Sequence, residues 1–230
     1  GMNNVLITGT NRGLGLGFTR HYLERGCRVF ATARIPTGCA ALTDLREAFG
    51  ERLVPVELDL VREDSIADAV SSLADTPLDL VINNAGALVD ETFGTWSAET
   101  FTRLLTVNTI GPALLAQALL PRMKPGSKLV NISSGLGSCG LGINPETGLD
   151  AYAASKAALN MITCRLAAKP ESEGLIVVAC DTGWVRTRMG GPEADLSVEE
   201  SVGAITAMID ELKLTDSGRF VSRHGKTLPW

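Results

Sequence analysis

Tyr152 and Lys156 stand four residues apart in Tyr-Ala-Ala-Ser-Lys, a spacing that puts a phenol and an ammonium on one face of a helix. A free tyrosine titrates near about 10, too high for proton exchange at neutrality, and a cation beside it stabilises the phenolate and lowers that value. Polar side chains that could serve the same chemistry lie upstream. Asn131-Ile132-Ser133-Ser134-Gly135-Leu136-Gly137 closes one β-forming run, and Asn83-Asn84-Ala85-Gly86 closes another. Asn108 lies in Thr106-Val107-Asn108-Thr109, inside a helical pattern where an amide has little reason to sit unless it is used. Together these groups suit a proton passed to or from an oxygen of a bound molecule.

A second constellation suits a nucleotide. Thr8-Gly9-Thr10-Asn11-Arg12-Gly13-Leu14-Gly15 follows the first β-forming run and opens the first helical one. Glycines there permit a tight turn, let the backbone approach a pyrophosphate and leave the helix N-terminus facing its charge. The spacing is TGxxxGxG, distinct from the commoner GxGxxG fingerprint. The second β-run ends at Ala31-Thr32-Ala33-Arg34, where an NAD-binding chain usually carries an acidic residue for the ribose 2′-hydroxyl. Arg34, with Arg12 in the glycine loop, suits a 2′-phosphate instead, so NADP(H) is expected over NAD(H). Asp59 and Leu60 follow the third β-run; Asp59 either accepts from an adenine amino group or is a plain surface-loop carboxylate.

Positioning these groups on one edge requires a particular order of elements. Val/Ile/Leu-rich runs at 4–8, 28–33, 53–58, 78–83, 128–133, 175–180 and near 219–221 read as strands covered on both faces. Helical patterns begin near Gly13, Gly38, Glu63, Ala98, Tyr152 and Ser197. Asp64 or Ser65 ahead of Ile66 and a Ser197…Glu200 capping box mark two starts, and Lys169-Pro170 marks a stop. Alternation of this kind predicts an α/β fold: a doubly wound parallel sheet of about seven strands with helices on both faces, in a single domain over 2–230. Gly1 before Met2 reads as a tag remnant.

The 230 residues are 45% hydrophobic and 20% charged with a net charge of −5, a balance that excludes disorder and gives no basic footprint for nucleic acid or anionic membrane. No uninterrupted apolar run reaches the roughly 18 residues of a membrane span, and no secretory leader is evident. The five cysteines contain no CxxC pair, which predicts reduced, mostly buried thiols in a cytoplasmic protein. His21 and His224 are too isolated for metal-ligand spacing, so no metal is expected.

With these elements in order, the chain resembles the short-chain dehydrogenase/reductase family over nearly its whole length. The matching stretches are TGxxxGxG at 8–15, NNAG at 83–86, the helix Asn108, the strand-end Ser134 and YxxxK at 152–156. Asn11 to Gly15, Gly183-Trp184-Val185-Arg186-Thr187 and the closing Gly225 to Trp230 further resemble the C-factor and sniffer-type carbonyl reductase subgroup. The resemblance implies a Rossmann-type domain and hydride transfer between a nicotinamide cofactor and a small-molecule carbonyl or alcohol. It implies Tyr152 as general acid/base, Lys156 as the group that lowers its pKa and holds the nicotinamide ribose, Ser134 on the substrate oxygen and Asn108 positioning a relay water. Asn84, Ala85 and Gly86 would pack around the adenosine ribose, and Gly183, Trp184, Val185 and Thr187 would line the nicotinamide. A homodimer through the helices at 98–122 and 152–168 is also implied, and a C-factor-like nucleotide sensor with little turnover is the alternative to a reductase.

Three departures from the family pattern stand out. Thr182-Gly183 replaces the usual Pro-Gly, with the Thr182 hydroxyl free to reach the carboxamide. The interval between Ser134 and Tyr152 is long, its excess at 140–148 reading as an extra loop at the site mouth, so Ser133 and Ser138 stay alternatives for the polarising hydroxyl. The stretch Arg188–Leu196 is short, which implies an open site. Pro229-Trp230 reads equally as a packed segment or a frayed tail.

Overall fold

The computed structural model describes residues 4–230, so Gly1 and the expected domain start at Met2 lie outside the described residues. Seven strands alternate with helices as the apolar runs require. The strands are β1 (Asn4–Ile7), β2 (Arg28–Ala33), β3 (Leu53–Glu57), β4 (Leu78–Asn83), β5 (Met123–Ser133), β6 (Ile176–Asp181) and β7 (Phe220–Ser222). They form one parallel sheet in the order β3-β2-β1-β4-β5-β6-β7. The chain winds outward from β1 in one direction and from β4 in the other, which opens a crevice at the carboxyl edge between them.

The helices are α1 (Gly13–Glu24), α2 (Ala40–Phe49), α3 (Glu63–Ser72), α4 (Ala98–Leu105), α5 (Gly111–Leu119), α6 (Asp150–Ala167) and α7 (Val198–Glu211). Successive strand residues feed opposite layers. Val5, Ile7, Leu80 and Ile82 pack with Phe18, Tyr22 and Ile205 from α1 and α7. Leu6, Val81 and Leu129 pack with Ile66, Leu115 and Leu166 from α3, α5 and α6. Both faces being covered explains why the strands carry continuous apolar runs.

Several element ends differ from the pattern reading. β5 starts at Met123 instead of Lys128, its early residues pairing across a register shift between Leu78 and Leu80. β6 runs one residue further, to Asp181. Ser65 does not cap α3; its hydroxyl accepts from the Asp59 N–H, and the helix starts at Glu63. α2 begins at Ala40, after a 3₁₀ turn over Pro36–Gly38. α6 begins two residues before Tyr152 and ends at Ala167, ahead of Pro170. Ser197 caps α7 as its spacing predicts, accepting from the Glu200 N–H. At the β3 edge of the sheet, Pro55 opposes Ala31.

The helical stretch Ala98–Arg122 is long and apolar enough to cross a membrane by length and composition, but half of its most apolar window is buried in this fold. None of the five cysteines is in a disulfide; only Cys27 and Cys180 are buried, Cys39 and Cys164 are partly exposed and Cys139 is exposed, fewer buried thiols than the composition suggests.

The two central loops are stitched together by one hydroxyl. Thr8 Oγ1, at the end of β1, accepts from the N–H groups of Asn84 and Ala85 at 3.0 and 2.9 Å. Replacing it with valine leaves two half-buried donors without their acceptor. Thr8→Val is expected to lower stability by about 1–3 kcal/mol, read as a reduced urea midpoint at unchanged slope.

Candidate active site

The loop after β1 makes its turn where a side chain would not fit. Gly9 has φ +67°, and a Cβ there would stand 2.8 Å from the Ala85 Cα. A Cβ on Gly15 would run into the Gly9 carbonyl oxygen and stand 2.7 Å from Asn84 Nδ2. Asn84 Nδ2 in turn donates to the carbonyls of Thr8 and Gly9. The N-cap residue of α1, Arg12, makes no side-chain cap, and no acidic residue lies in the first turn, so the helix presents bare N–H groups. Arg12 and Arg34 are exposed. Among the described residues neither belongs to an ion pair; those are Arg25–Asp210, Arg46–Glu51, Arg62–Asp64 and Arg219–Asp216. Thr187 closes over this loop, its Cγ2 lying 3.5 Å from the position of a Cβ on Gly13. Asp59 Oδ1 accepts from its neighbour Val61 N–H, and Leu60 packs against Gly111.

Across the crevice, α6 delivers Tyr152 and Lys156 beneath the end of β5. Lys156 is buried and its Nζ donates to the Ile132 carbonyl at 2.8 Å, lying 5.7 Å from the centre of the Tyr152 ring. Burial pulls its pKa down to about 8. The Tyr152 phenol is pushed up to about 12 by burial first and by the Asp181 carboxylate second, against a hydrogen bond with Ser134 that favours the phenolate. The sequence predicts the reverse, a phenol lowered by the lysine. In the folded chain desolvation wins, and Tyr152 is a protonated donor over the whole neutral range.

Three serines competed for the polarising role, and their partners separate them. Ser133 Oγ is bonded to Asn160 Oδ1 at 2.6 Å in the buried layer. Ser138 Oγ donates to the Pro229 carbonyl at 2.6 Å. Ser134 Oγ accepts from the Leu136 N–H at 3.1 Å and meets Tyr152. Ser134 and Tyr152 are therefore the pair at the crevice.

Asn108 sits in a π turn, Thr106–Ile110, between α4 and α5. Such turns widen a helix by one residue and recur at functional sites. Its amide is fully committed: Oδ1 accepts from Ala87 N–H at 2.8 Å, while Nδ2 donates to the Ala87 carbonyl at 2.8 Å and Ser155 Oγ at 3.0 Å. These partners are far away in sequence, so the asparagine fastens the β4 loop to α6. A Cβ on Gly86 would lie 3.3 Å from Asn108 Oδ1 and 3.7 Å from Lys156 Nζ, which puts both groups beside the same backbone.

Beyond β6, Thr182 Oγ1 donates to the Gly183 carbonyl at 3.0 Å, and its own carbonyl accepts from Ser201. The hydroxyl's proton is thus committed to its own turn, which leaves its oxygen as an acceptor only. Val185 is buried, while Trp184 is largely exposed with Nε1 donating to the Gly190 carbonyl. Asp181, which accepts from the Gly135 N–H at 3.1 Å and raises Tyr152, lies one residue beyond the apolar run of β6, so nothing in that run points to it. Asn160, Ser155 and Thr109, which the sequence analysis does not single out, are polar residues at interior helix positions like Asn108 and legible by the same signal.

Residues 3–196 match the family model described as short chain dehydrogenase. The chain belongs to that family. It is similar along its whole length to the NADPH-bound carbonyl reductase from chicken fatty liver, with 35% identity, 99% of that chain covered and a TM-score of 0.91. It is likewise similar to the carbonyl reductase Sniffer of D. melanogaster, with 32% identity, complete coverage of both chains and a TM-score of 0.91. It is 36% identical over 162 residues to the C-signal of Myxococcus xanthus, covering 67% of this chain and 93% of that protein.

The buried ammonium carries a stability signature. Between about pH 8 and 10.5 the unfolded chain holds the Lys156 proton and the folded chain does not, so this group's contribution to stability rises with pH across that window. Lys156→Met is expected to be more stable than the wild type at pH 7, by on the order of 1–3 kcal/mol after loss of the bond to Ile132. Urea unfolding at pH 7 and pH 10 should show that gap closing; a gap independent of pH would contradict the assignment.

Proposed function

We propose that this chain is an NADPH-dependent carbonyl reductase. The observation that carries the reading is the Tyr152–Lys156 pair on α6, with the buried ammonium 5.7 Å from the phenol ring and bonded to the end of β5 one residue before Ser133 and Ser134, at the sheet edge that also bears the glycine loop. The cradle fits a dinucleotide: no Cβ is tolerated at Gly9 or Gly15, the α1 N–H groups are uncapped, and two guanidinium groups stand free for a 2′-phosphate. Gly9, Asn11, Arg12, Gly13, Leu14 and Gly15 would hold its phosphates, Arg34, Asp59 and Leu60 its adenosine end, and Asn84, Ala85 and Gly86 the central ribose. Gly183, Trp184, Val185 and Thr187 would line the nicotinamide. The NADPH bound to the chicken carbonyl reductase supports the cofactor assignment. When bound, the nicotinamide supplies the hydride.

The chain's own residues manage the oxygen. Ser134 orients a substrate carbonyl by hydrogen bonding, and Tyr152 gives its proton to that oxygen as negative charge develops. Burial keeps the phenol in its protonated form, the form a reduction consumes, and the positive charge of Lys156 offsets the cost of the phenolate left behind. Lys156 holds the nicotinamide ribose and supplies positive charge beneath the phenol. Asn108 keeps Ala87 and Ser155 in place, so the β4 loop and the catalytic helix stay in register.

Copies of the chain would pair through the helical stretches 98–122 and 152–168, where Ile110 and Met161 are 50% and 61% exposed. Sedimentation should then give a homodimer at micromolar concentration. Five cysteines with no disulfide among them suit a reducing compartment, the cytoplasm. Likeness to C-signal favours one second reading, a nucleotide sensor with little turnover.

NADPH is expected to bind at least about ten-fold more tightly than NADH, and the Arg12→Ala, Arg34→Ala double variant to lose that preference. NADPH oxidation with aldehydes, quinones and diketones should fall by roughly 10²-fold or more in Tyr152→Phe while cofactor binding survives. Tight binding without wild-type turnover would favour the sensor, and no nucleotide binding would remove both readings.

A further inference from the structure

The long loop between Ser134 and α6 is tied to the far end of the sequence. After β7 the chain folds back antiparallel on that strand, with Ser222 N–H donating to the Lys226 carbonyl and Leu228 N–H to the Phe220 carbonyl, both at 2.8 Å. The Trp230 ring then stacks on Phe220, a fully buried β7 residue, at 5.8 Å between centroids and 20° between planes. Anchored there, the strap offers two consecutive carbonyls to the loop. Pro229 O accepts from Ser138 Oγ at 2.6 Å, and Trp230 O accepts from the Gly140 N–H at 3.3 Å. Gly140 sits so close that a Cβ there would stand 2.8 Å from the Pro229 Cβ.

The same loop faces the candidate active site. A Cβ on Gly135, the residue after Ser134, would lie 2.9 Å from Ile143 Cδ1 and 3.6 Å from Leu141 Cδ1. Ser138 Oγ also accepts from the Leu141 N–H at 3.1 Å, so one hydroxyl joins the strap to the residue beside the site. The loop's other tie is the Gly148 carbonyl, which accepts from the Glu91 N–H at 2.7 Å. Between the two ties lie Gly140 and Gly142 and no charged side chain before Glu146.

We propose that Trp230 is a positioning residue for substrate: through Pro229, Ser138 and Gly140 it fixes Leu141 and Ile143 as an apolar wall beside Ser134, suited to an uncharged, apolar carbonyl compound. Trp230 acts through the loop and touches none of the reacting groups. What the wall holds rests on the reductase reading; that the strap holds the wall does not.

Two readouts on the full chain test this, using Trp230→Ala, Trp230→Phe and the wild type. Without cofactor, hydrogen exchange of the segment 138–143 should be at least about ten-fold faster in Trp230→Ala and near wild type in Trp230→Phe, which keeps a ring on Phe220. With NADPH, the KM for 9,10-phenanthrenequinone should rise about ten-fold in Trp230→Ala, with kcat within about two-fold, and recover in Trp230→Phe. If Trp230→Ala does not fold, Ser138→Ala removes the strap's shorter bond and should show the same split. Unchanged exchange would overturn the proposal, as would a KM that stays put while exchange rises or one that Trp230→Phe fails to restore. A wild type inert toward every carbonyl would remove the reductase reading alone, and the exchange comparison would still decide whether the strap orders the loop.

Discussion

An ammonium withdrawn from water without a carboxylate partner is expensive to bury, and Lys156 is in that state, with a single carbonyl acceptor at the end of β5. Much of the carboxyl edge follows from accommodating it. The acceptor carbonyl belongs to Ile132, one residue before the two serines, so the strand that receives the lysine also carries the hydroxyl that meets Tyr152. Gly86 lies beside the same nitrogen and is too small to crowd it, and on its other side stands Asn108, fastened to Ala87 and Ser155. Desolvation acts on the neighbouring phenol in the opposite sense, because burial penalises the phenolate as it penalises the ammonium. One dry environment thus lowers the lysine, raises the tyrosine and leaves each nearer its neutral form.

The glycine loop after β1 and the loop after β4 come from opposite halves of the sheet, and Thr8 is where they meet. Its hydroxyl holds Asn84 and Ala85, while Asn84 reaches back to the carbonyls of Thr8 and Gly9. This reciprocal stitch lets β1 and β4 end close together with little side-chain bulk between their loops. A crevice at the point where strand order reverses is general to doubly wound sheets. The missing Cβ atoms at Gly9 and Gly15 make this one shallow enough for backbone to line it.

Much of this architecture was legible because strands covered on both faces announce themselves as continuous apolar runs, and five short motifs fell in order along them. Boundaries were less legible where tertiary partners override local signals. Ser65 has the right type to cap α3, but its hydroxyl is drawn to Asp59, and the helix starts without it. Spacing does bring the Tyr152 ring within 5.7 Å of the Lys156 ammonium, yet it misses the direction of the phenol's pKa, because spacing reports proximity to a cation and says nothing of how dry the site is. The three serines could not be ranked from sequence for a related reason. Their roles depend on Asn160 and Pro229, partners that only the folded chain brings near.

The sheet's outer margin has a consequence for how copies of the chain can meet. β3 is an edge strand, and at Pro55 it has no N–H to offer a newcomer. At the opposite margin, β7 is only three residues long and already carries the antiparallel return at Thr227. Among the described residues, neither flank presents an unbroken ladder on which a second chain could extend the sheet, which guards the protein against edge-to-edge aggregation.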